Sequence, residues 1–236
     1  KESVLRFEGD KNICNVTRQQ REELVNHYIK TCVDKKIKAI KQNAVGWNYN
    51  YCKKSFYSSK GTEIVQDYQR CLLIVYYAIN INDFNTMAFK EIYGFTFDEM
   101  AGHEKEVLEE RDRSLEYAEK SVPVEPGEYC CVLSPTVTSA FTHESFGHKS
   151  EADYMLNDKT LQAEWTMGKK VGNEKVTIID EGDELYHGYC PYDDEGNKKQ
   201  KVYLMKDGIL TGRLHDAKSA AVLNEKPTGN ARAQDY

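Results

Sequence analysis

From Val45 to Tyr51 the chain is patterned with a period of two, β-branched and aromatic residues continue as far as Asn80, and such a segment has few folds open to it. Val45, Trp47, Tyr49 and Tyr51 fall on alternate positions, Ser58 to Gly61 supplies a turn, and TEIVQDYQRCLLIVYYAIN continues with β-branched and aromatic residues. Successive strand residues point to opposite faces, so the pattern predicts strands with one covered face, joined as an antiparallel meander. Helical spacing flanks it. Thr17 and Gln20 form a capping-box pair, and Leu24, Val25, Tyr28, Ile29 and Cys32 then recur three or four apart, which predicts a helix from about 18 to 34. In HEKEVLEERDRSLEYAEKS, Val107, Leu108, Leu115 and Ala118 share one side, predicting a second amphipathic helix.

VPVEPGE, residues 122–128, brings two prolines and a glycine together and is the best boundary in the chain. It separates an N-terminal part, 1–122, from a second part, 123–236. In the second part YCCVLS (129–134) reads as a short buried strand, and Ser134-Pro135 as the start of a helix with proline in its first turn. KVTIID, QKVYLMKDGILTGRL and DAKSAAVLN read as strand, hairpin and helix, with DDEGN and KDG as turns. The fold class expected is α+β, with a helix-flanked antiparallel sheet in each half.

Composition limits the function. With 40% apolar and 11% aromatic residues in 236, the chain can build a core. A net charge of -6, from 32 basic and 38 acidic residues spread along the sequence, opposes a nucleic-acid surface, which needs concentrated positive charge. Lys35, Lys36, Lys38 and Lys41 form the one basic cluster, and a solvated helix end or strand edge accounts for it. The longest apolar run, Cys71 to Ile79, is far below the ~20 residues of a membrane span. The first residues lack a signal-peptide core, and the sequence opens without Met, so an internal piece of a longer, cytoplasmic protein is expected. Seven cysteines, at 14, 32, 52, 71, 130, 131 and 190, include no CxxC pair; mostly buried thiols are expected rather than a disulfide framework or zinc knuckle.

The chemistry concentrates in FTHESFGHKSEADYM, residues 141–155. His143 and His148 offer imidazole ligands and Glu144 a carboxylate base, the residue types a hydrolytic zinc site requires. Zincin histidines stand four apart on one helix face; five apart they diverge by about 140° at 3.6 residues per turn. An ideal helix would not chelate with them. A π-type turn, whose register is i to i+5, removes the conflict, and Gly147 before the second histidine gives the backbone latitude for it. Glu151 and Asp153 are near enough in sequence to orient the imidazoles. On spacing alone such a pair is more often wet surface polarity or a hydrogen-bonded core histidine than a metal site.

Other features carry less. His215 with Asp216, and His187 near Cys190, offer ligand or catalytic pairs, but isolated histidines of this kind are more often hydrogen-bonded structure. GxSxG, GxxxxGK[ST] and GxGxxG are all missing from the sequence, so neither a serine hydrolase nor a nucleotide cofactor has support.

SSKGTEIVQDYQRCLLIVYYAI, VEPGEYCCVLSPTVTSAFTHESFGHKSEAD and the stretch from DDEGN through VYLMKDGILTGRLHDAKSAAVLNEKPTGNARAQDY resemble, in order and separation, signature blocks of the TldD/PmbA family, also labelled modulators of DNA gyrase. The resemblance runs from about Thr17 to the last residue. It implies a TldD-like metallopeptidase cleaving unfolded or peptide substrates, since PmbA-like partners lack the HExxxH block. By the same resemblance His143 and His148 become ligands of Zn2+, Glu144 the general base, and the assembly a homodimer or a heterodimer with a PmbA-like subunit, with an enclosed site admitting an extended peptide. The family's third ligand is a cysteine downstream of the PTGNARAQDY block. None of the seven cysteines occupies that place, so the expectation is a ligand beyond Tyr236 or, failing that, recruitment of Cys190 or Asp153. A non-catalytic subunit that binds a peptide or partner is the rival reading. A regulator of DNA topology, the third, fits an acidic chain poorly.

Overall fold

The computed structural model describes residues 1–82, 84–182 and 184–233. The last residues of the block ending at Tyr236 lie outside them. The fold is α+β, with two sheets and several helices. Two compact units form: one from Leu5–Lys53 and Asp67–Gly127, the other from Lys1–Val4, Lys54–Gln66 and Glu128–Tyr236.

The meander is present, and most of it falls in the first unit. Strands β2 (Ile40–Tyr57), β3 (Glu63–Ile81) and β4 (Phe84–Gly94) follow one another, and β3 pairs with both neighbours. β4 runs antiparallel to it from Cys71↔Gly94 to Ile81↔Phe84. The Asn80 N–H to Ala39 O bond at one end and the Ser58 N–H to Thr62 O bond at the other place β2 antiparallel as well. Alternation then does what it must: Cys71, Leu73, Val75, Tyr77 and Ile79 are all buried on one face of β3, meeting Ala88 and Ile92 of β4. Helix α1 (Arg18–Cys32) opens with the capping box, where the Thr17 side chain accepts from Gln20 N–H and Gln20 reaches back to Thr17 N–H. It contributes Tyr28 and Cys32 to the core, and α2 (Glu104–Lys120) contributes Val107 and Ala118. Each large apolar side chain so buried contributes roughly 1.5–3 kcal/mol before entropy is counted.

Of the buried polar side chains of β3, Asp67 and Gln69 serve the first unit. The Asp67 carboxylate accepts from the Arg6 and Phe7 N–H groups at 2.7 and 3.1 Å. Gln69 accepts from Ile13 N–H at 3.0 Å and donates to Lys11 O at 2.6 Å. Fully buried, these side chains hold the irregular segment ahead of α1 by satisfying backbone groups that have no ladder of their own. Lys35, Lys36, Lys38 and Lys41 are exposed around the entry to β2, as a solvated strand edge requires.

In the second unit β1 (Glu2–Val4) pairs parallel with Ile64–Gln66 of β3, a strand the sequence pattern did not reveal. The Gln66 amide pairs with both backbone groups of Tyr192, at 2.8 and 3.1 Å. The DDEGN turn winds around buried Asp193, and its Gly196 has φ +80° where an added Cβ would run into the Phe56 ring, so only glycine fits. Strands β5 (Ile178–Asp180), β6 (Val202–Lys206) and β7 (Ile209–Leu210) form an antiparallel sheet in that order. Helices α3 (Pro135–Thr142), α4 (Ala152–Met155), α5 (Lys159–Glu164) and α6 (Ala217–Leu223) complete the unit around Met155, Trp165 and Leu210.

Two expectations are corrected. Residues 129–134 form no strand and are exposed, with Val132 99% accessible; an apolar run specifies a strand only where a ladder partner exists, and β5, β6 and β7 pair with one another instead. The cysteines are not mostly buried: Cys32, Cys71 and Cys190 are, Cys52 is half-buried, and Cys14, Cys130 and Cys131 are exposed. Among the described residues no helix is long and apolar enough to cross a membrane.

The Tyr28 hydroxyl donates to Met100 O at 2.8 Å and accepts from His103 N–H at 3.1 Å, with no water access. Tyr28→Phe should therefore cost about 1–3 kcal/mol in urea unfolding with an unchanged m-value. Burial pushes both the Cys71 thiol and the Tyr77 phenol up to about 12 from ordinary values of 9.0 and 10.0. Their raised folded values mean that this contribution to stability is complete below the ordinary values and is lost as pH rises toward 12. The urea midpoint should fall over that alkaline range in the wild type and fall less in Cys71→Ala.

Candidate metal centre

Helix α3 begins where the sequence says it should: Ser134 caps it, accepting from Val137 N–H at 3.4 Å, and Pro135 occupies its first turn. At its end the hydrogen-bond register changes. His143–Gly147 form a single π-helical turn closed by His148 N–H donating to His143 O. The inserted residue swings the second histidine back toward the first, so that the His143 and His148 ring centroids lie 4.6 Å apart at 68°. The wider register meets the spacing problem posed by histidines five apart.

Gly147 is not what allows it. Its backbone is ordinary right-handed helix, φ −54° and ψ −63°, and an added Cβ would meet the His143 ring at 3.7 Å, plain van der Waals contact. The turn is held instead from inside. Phe146 projects against Trp165, ring centroids 5.4 Å apart, while His143, Glu144 and His148 are left facing outward.

His143, Glu144 and His148 place one potential ligand atom each within 4.8 Å of the others, and among the described residues no further histidine, cysteine or acid joins such a group. Two ligands about 2.1 Å from a tetrahedral ion stand about 3.4 Å apart, so small ring rotations close the set. Glu144 Oε2 lies 3.9 Å from His148 Nε2. The other ring nitrogen, Nδ1, is 2.7 Å from Glu151 Oε1. A carboxylate accepts and does not donate, so Nδ1 carries a proton, and in the neutral ring the lone pair is left on Nε2, the nitrogen on the Glu144 side. Two imidazole donors with a carboxylate base beside an open face suit zinc chemistry.

The remaining candidates lie outside this group. Asp153, on α4, is not among the three. Cys190 is buried, its thiol donates to Tyr192 O at 3.0 Å, and burial raises its pKa, which opposes the thiolate a metal needs. His215 is 1% exposed and engaged on both nitrogens, by Ser219 Oγ at 3.0 Å and Glu225 Oε2 at 3.0 Å. Asp216 caps α6 through Ser219 N–H, and that bonding to Ser219 lowers its pKa. His187 is exposed and outside the group.

A chain of α+β fold that presents His–Glu–His from one helical turn carries the residue types a metal-dependent hydrolytic site requires. Residues 126–236 match the PmbA/TldA metallopeptidase C-terminal domain. The chain is 31% identical over 229 residues to a protein of Methanocaldococcus jannaschii named a metalloprotease, covering 96% of this chain and 49% of that one. It is 31% identical over 226 residues to a Saccharolobus solfataricus protein named a zinc metalloprotease TldD homolog, covering 92% and 50%. Crystal structures of two putative modulators of DNA gyrase share the fold. The Bacteroides thetaiotaomicron protein superposes with a TM-score of 0.79 at 15% identity, over 94% of this chain and 50% of that one. The Thermotoga maritima protein superposes with 0.78 at 18%, over 97% and 52%. The chain belongs to the PmbA/TldD family and spans about half the length of the curated relatives it matches.

Because nothing in the turn needs a glycine conformation, Gly147→Ala should leave the fold intact and the unfolding free energy unchanged or up to about 1 kcal/mol higher. Loss of cooperative unfolding in that variant would contradict the placement of the turn.

Proposed function

We propose that this chain carries the site of a zinc-dependent metallopeptidase that cleaves unfolded or peptide substrates. The observation that carries the reading is the π turn, which gathers His143, Glu144 and His148 within 4.8 Å at an exposed surface. His143 and His148 would hold the ion. Zinc, when bound, polarises a scissile carbonyl and brings the pKa of a coordinated water toward ~7. Glu144 stands beside His148 Nε2 and would take the proton from the attacking water and pass it to the leaving amine. Glu151 holds the His148 ring so that Nε2 stays aimed at the group.

Two histidines bind zinc more weakly than the three protein ligands usual at catalytic sites, so a third donor is assigned to a residue outside the group, a cysteine by family resemblance. Assembly as a homodimer, or with a PmbA-like subunit, is proposed on the same resemblance. The seven unpaired thiols support a reducing, cytoplasmic setting.

Zinc stoichiometry by mass spectrometry, read beside hydrolysis of an unfolded protein substrate, tests the reading. His143→Ala and His148→Ala should each lower bound zinc at least tenfold. Glu144→Gln should keep the zinc and lose turnover by roughly 10²-fold or more. Undiminished hydrolysis in Glu144→Gln would refute the assignment, and peptide binding by a protein without zinc would favour a non-catalytic binding subunit.

A further inference from the structure

Ten residues past the last histidine of the chain, Glu225 makes contacts that lead back to His148. Both of its oxygens are used. Oε1 accepts from the Arg213 guanidinium and Oε2 pairs with His215 Nε2 at 3.0 Å. Arg213 and His215 flank Leu214 in an extended segment, so their side chains leave it on the same side and one carboxylate grips both. The grip is a buried one at the receiving end: His215 is 1% exposed, its Nδ1 is held by Ser219 Oγ, and its N–H donates to Thr228 Oγ1 at 2.7 Å. Arg213 also donates to Trp165 O at 3.2 Å.

Leu214, held between them, spends both backbone groups on the segment just after the π turn. Its N–H donates to Ser150 O at 2.8 Å and its carbonyl accepts from Ala152 N–H at 2.9 Å. Glu151 sits between those two residues as the parallel bridge partner of Leu214. Its backbone is thereby pinned on both sides, and its side chain reaches His148 Nδ1 at 2.7 Å.

We propose that Glu225 is a positioning residue for His148, acting through Arg213 and His215 on Leu214, through Leu214 on Glu151, and through Glu151 on the imidazole. Glu225 touches neither of the grouped histidines. It fixes which tautomer His148 presents and where its Nε2 points. The inference rests on the reading of His148 as a ligand only for its consequence in metal affinity. The tautomer itself is a property of the metal-free chain.

The test compares wild type with Glu151→Ala, Glu225→Ala and a control, Asp216→Ala, which removes the cap of α6 while leaving the Glu225 contacts in place. Long-range proton–nitrogen NMR on metal-free protein, about two pH units above the ordinary imidazole value of about 6.5, reads the His148 tautomer. Wild type and Asp216→Ala should hold the proton on Nδ1, whereas Glu151→Ala and Glu225→Ala should revert toward the Nε2–H form a free imidazole prefers. Titrated with zinc, Glu151→Ala should bind roughly 10- to 100-fold more weakly than wild type, and Glu225→Ala should lose affinity in the same direction by less. Retention of the Nδ1–H form in Glu225→Ala, or an equal shift in Asp216→Ala, overturns the relay. If Glu225→Ala does not fold, Glu225→Asp, one methylene short of spanning both partners, carries the same two outcomes. In protein extended to carry the third donor, no zinc bound by wild type together with the expected tautomers would overturn the metallopeptidase reading and leave the relay standing.

Discussion

One backbone hydrogen bond, from His148 N–H to His143 O, decides what the candidate centre is. Had the α register continued, the two imidazoles would leave the helix about 140° apart and could share no ion. In the π register they meet at 4.6 Å between ring centroids. A π turn gives up the regular ladder, and such turns survive where surrounding contacts hold them. Here the contacts are visible on both sides: Phe146 packs inward on Trp165, and Leu214 takes the backbone on either side of Glu151. The outward face is then free to carry polar ligands.

The same economy recurs away from the centre. Asp67 and Gln69 sit at inward positions of β3, where alternation calls for apolar side chains, and each satisfies backbone groups of an irregular segment. Asp193 does so for the DDEGN turn, and Glu225 links two side chains across Leu214. Buried polar groups are costly unless fully bonded, and bonded ones define a single arrangement of the loops they touch. Loops organised in this way can present a site with fixed geometry even where the local secondary structure is short.

Much of this was legible in the residues. Both long helices, the meander, the β5–β7 region and α6 follow from periodicity and turn residues, because amphipathic period and capping are local properties. The need for a π turn was readable too, since histidines five apart admit few other ways to meet. Residues 129–134 were misread because an apolar run does not say whether a partner strand exists. Gly147 was misread because glycine permits unusual backbone without requiring it. Asp67, Gln69, Arg213 and Glu225 left no signal, as a polar residue in a strand or after a helix looks like surface until its distant partner is known.

Sequence by itself determined the class of elements and set two imidazoles and a carboxylate within six residues, all of which depends on neighbours within a few positions. Tertiary structure decided which carboxylate serves which imidazole. Glu151 faces His148 because Leu214, more than sixty residues on, pairs with it. His215 is taken up by Ser219 and Glu225, and Cys190 is buried as a thiol donating to Tyr192 O, so neither joins the group. Those outcomes turn on backbone pairings between remote segments, and spacing along a chain carries no record of them.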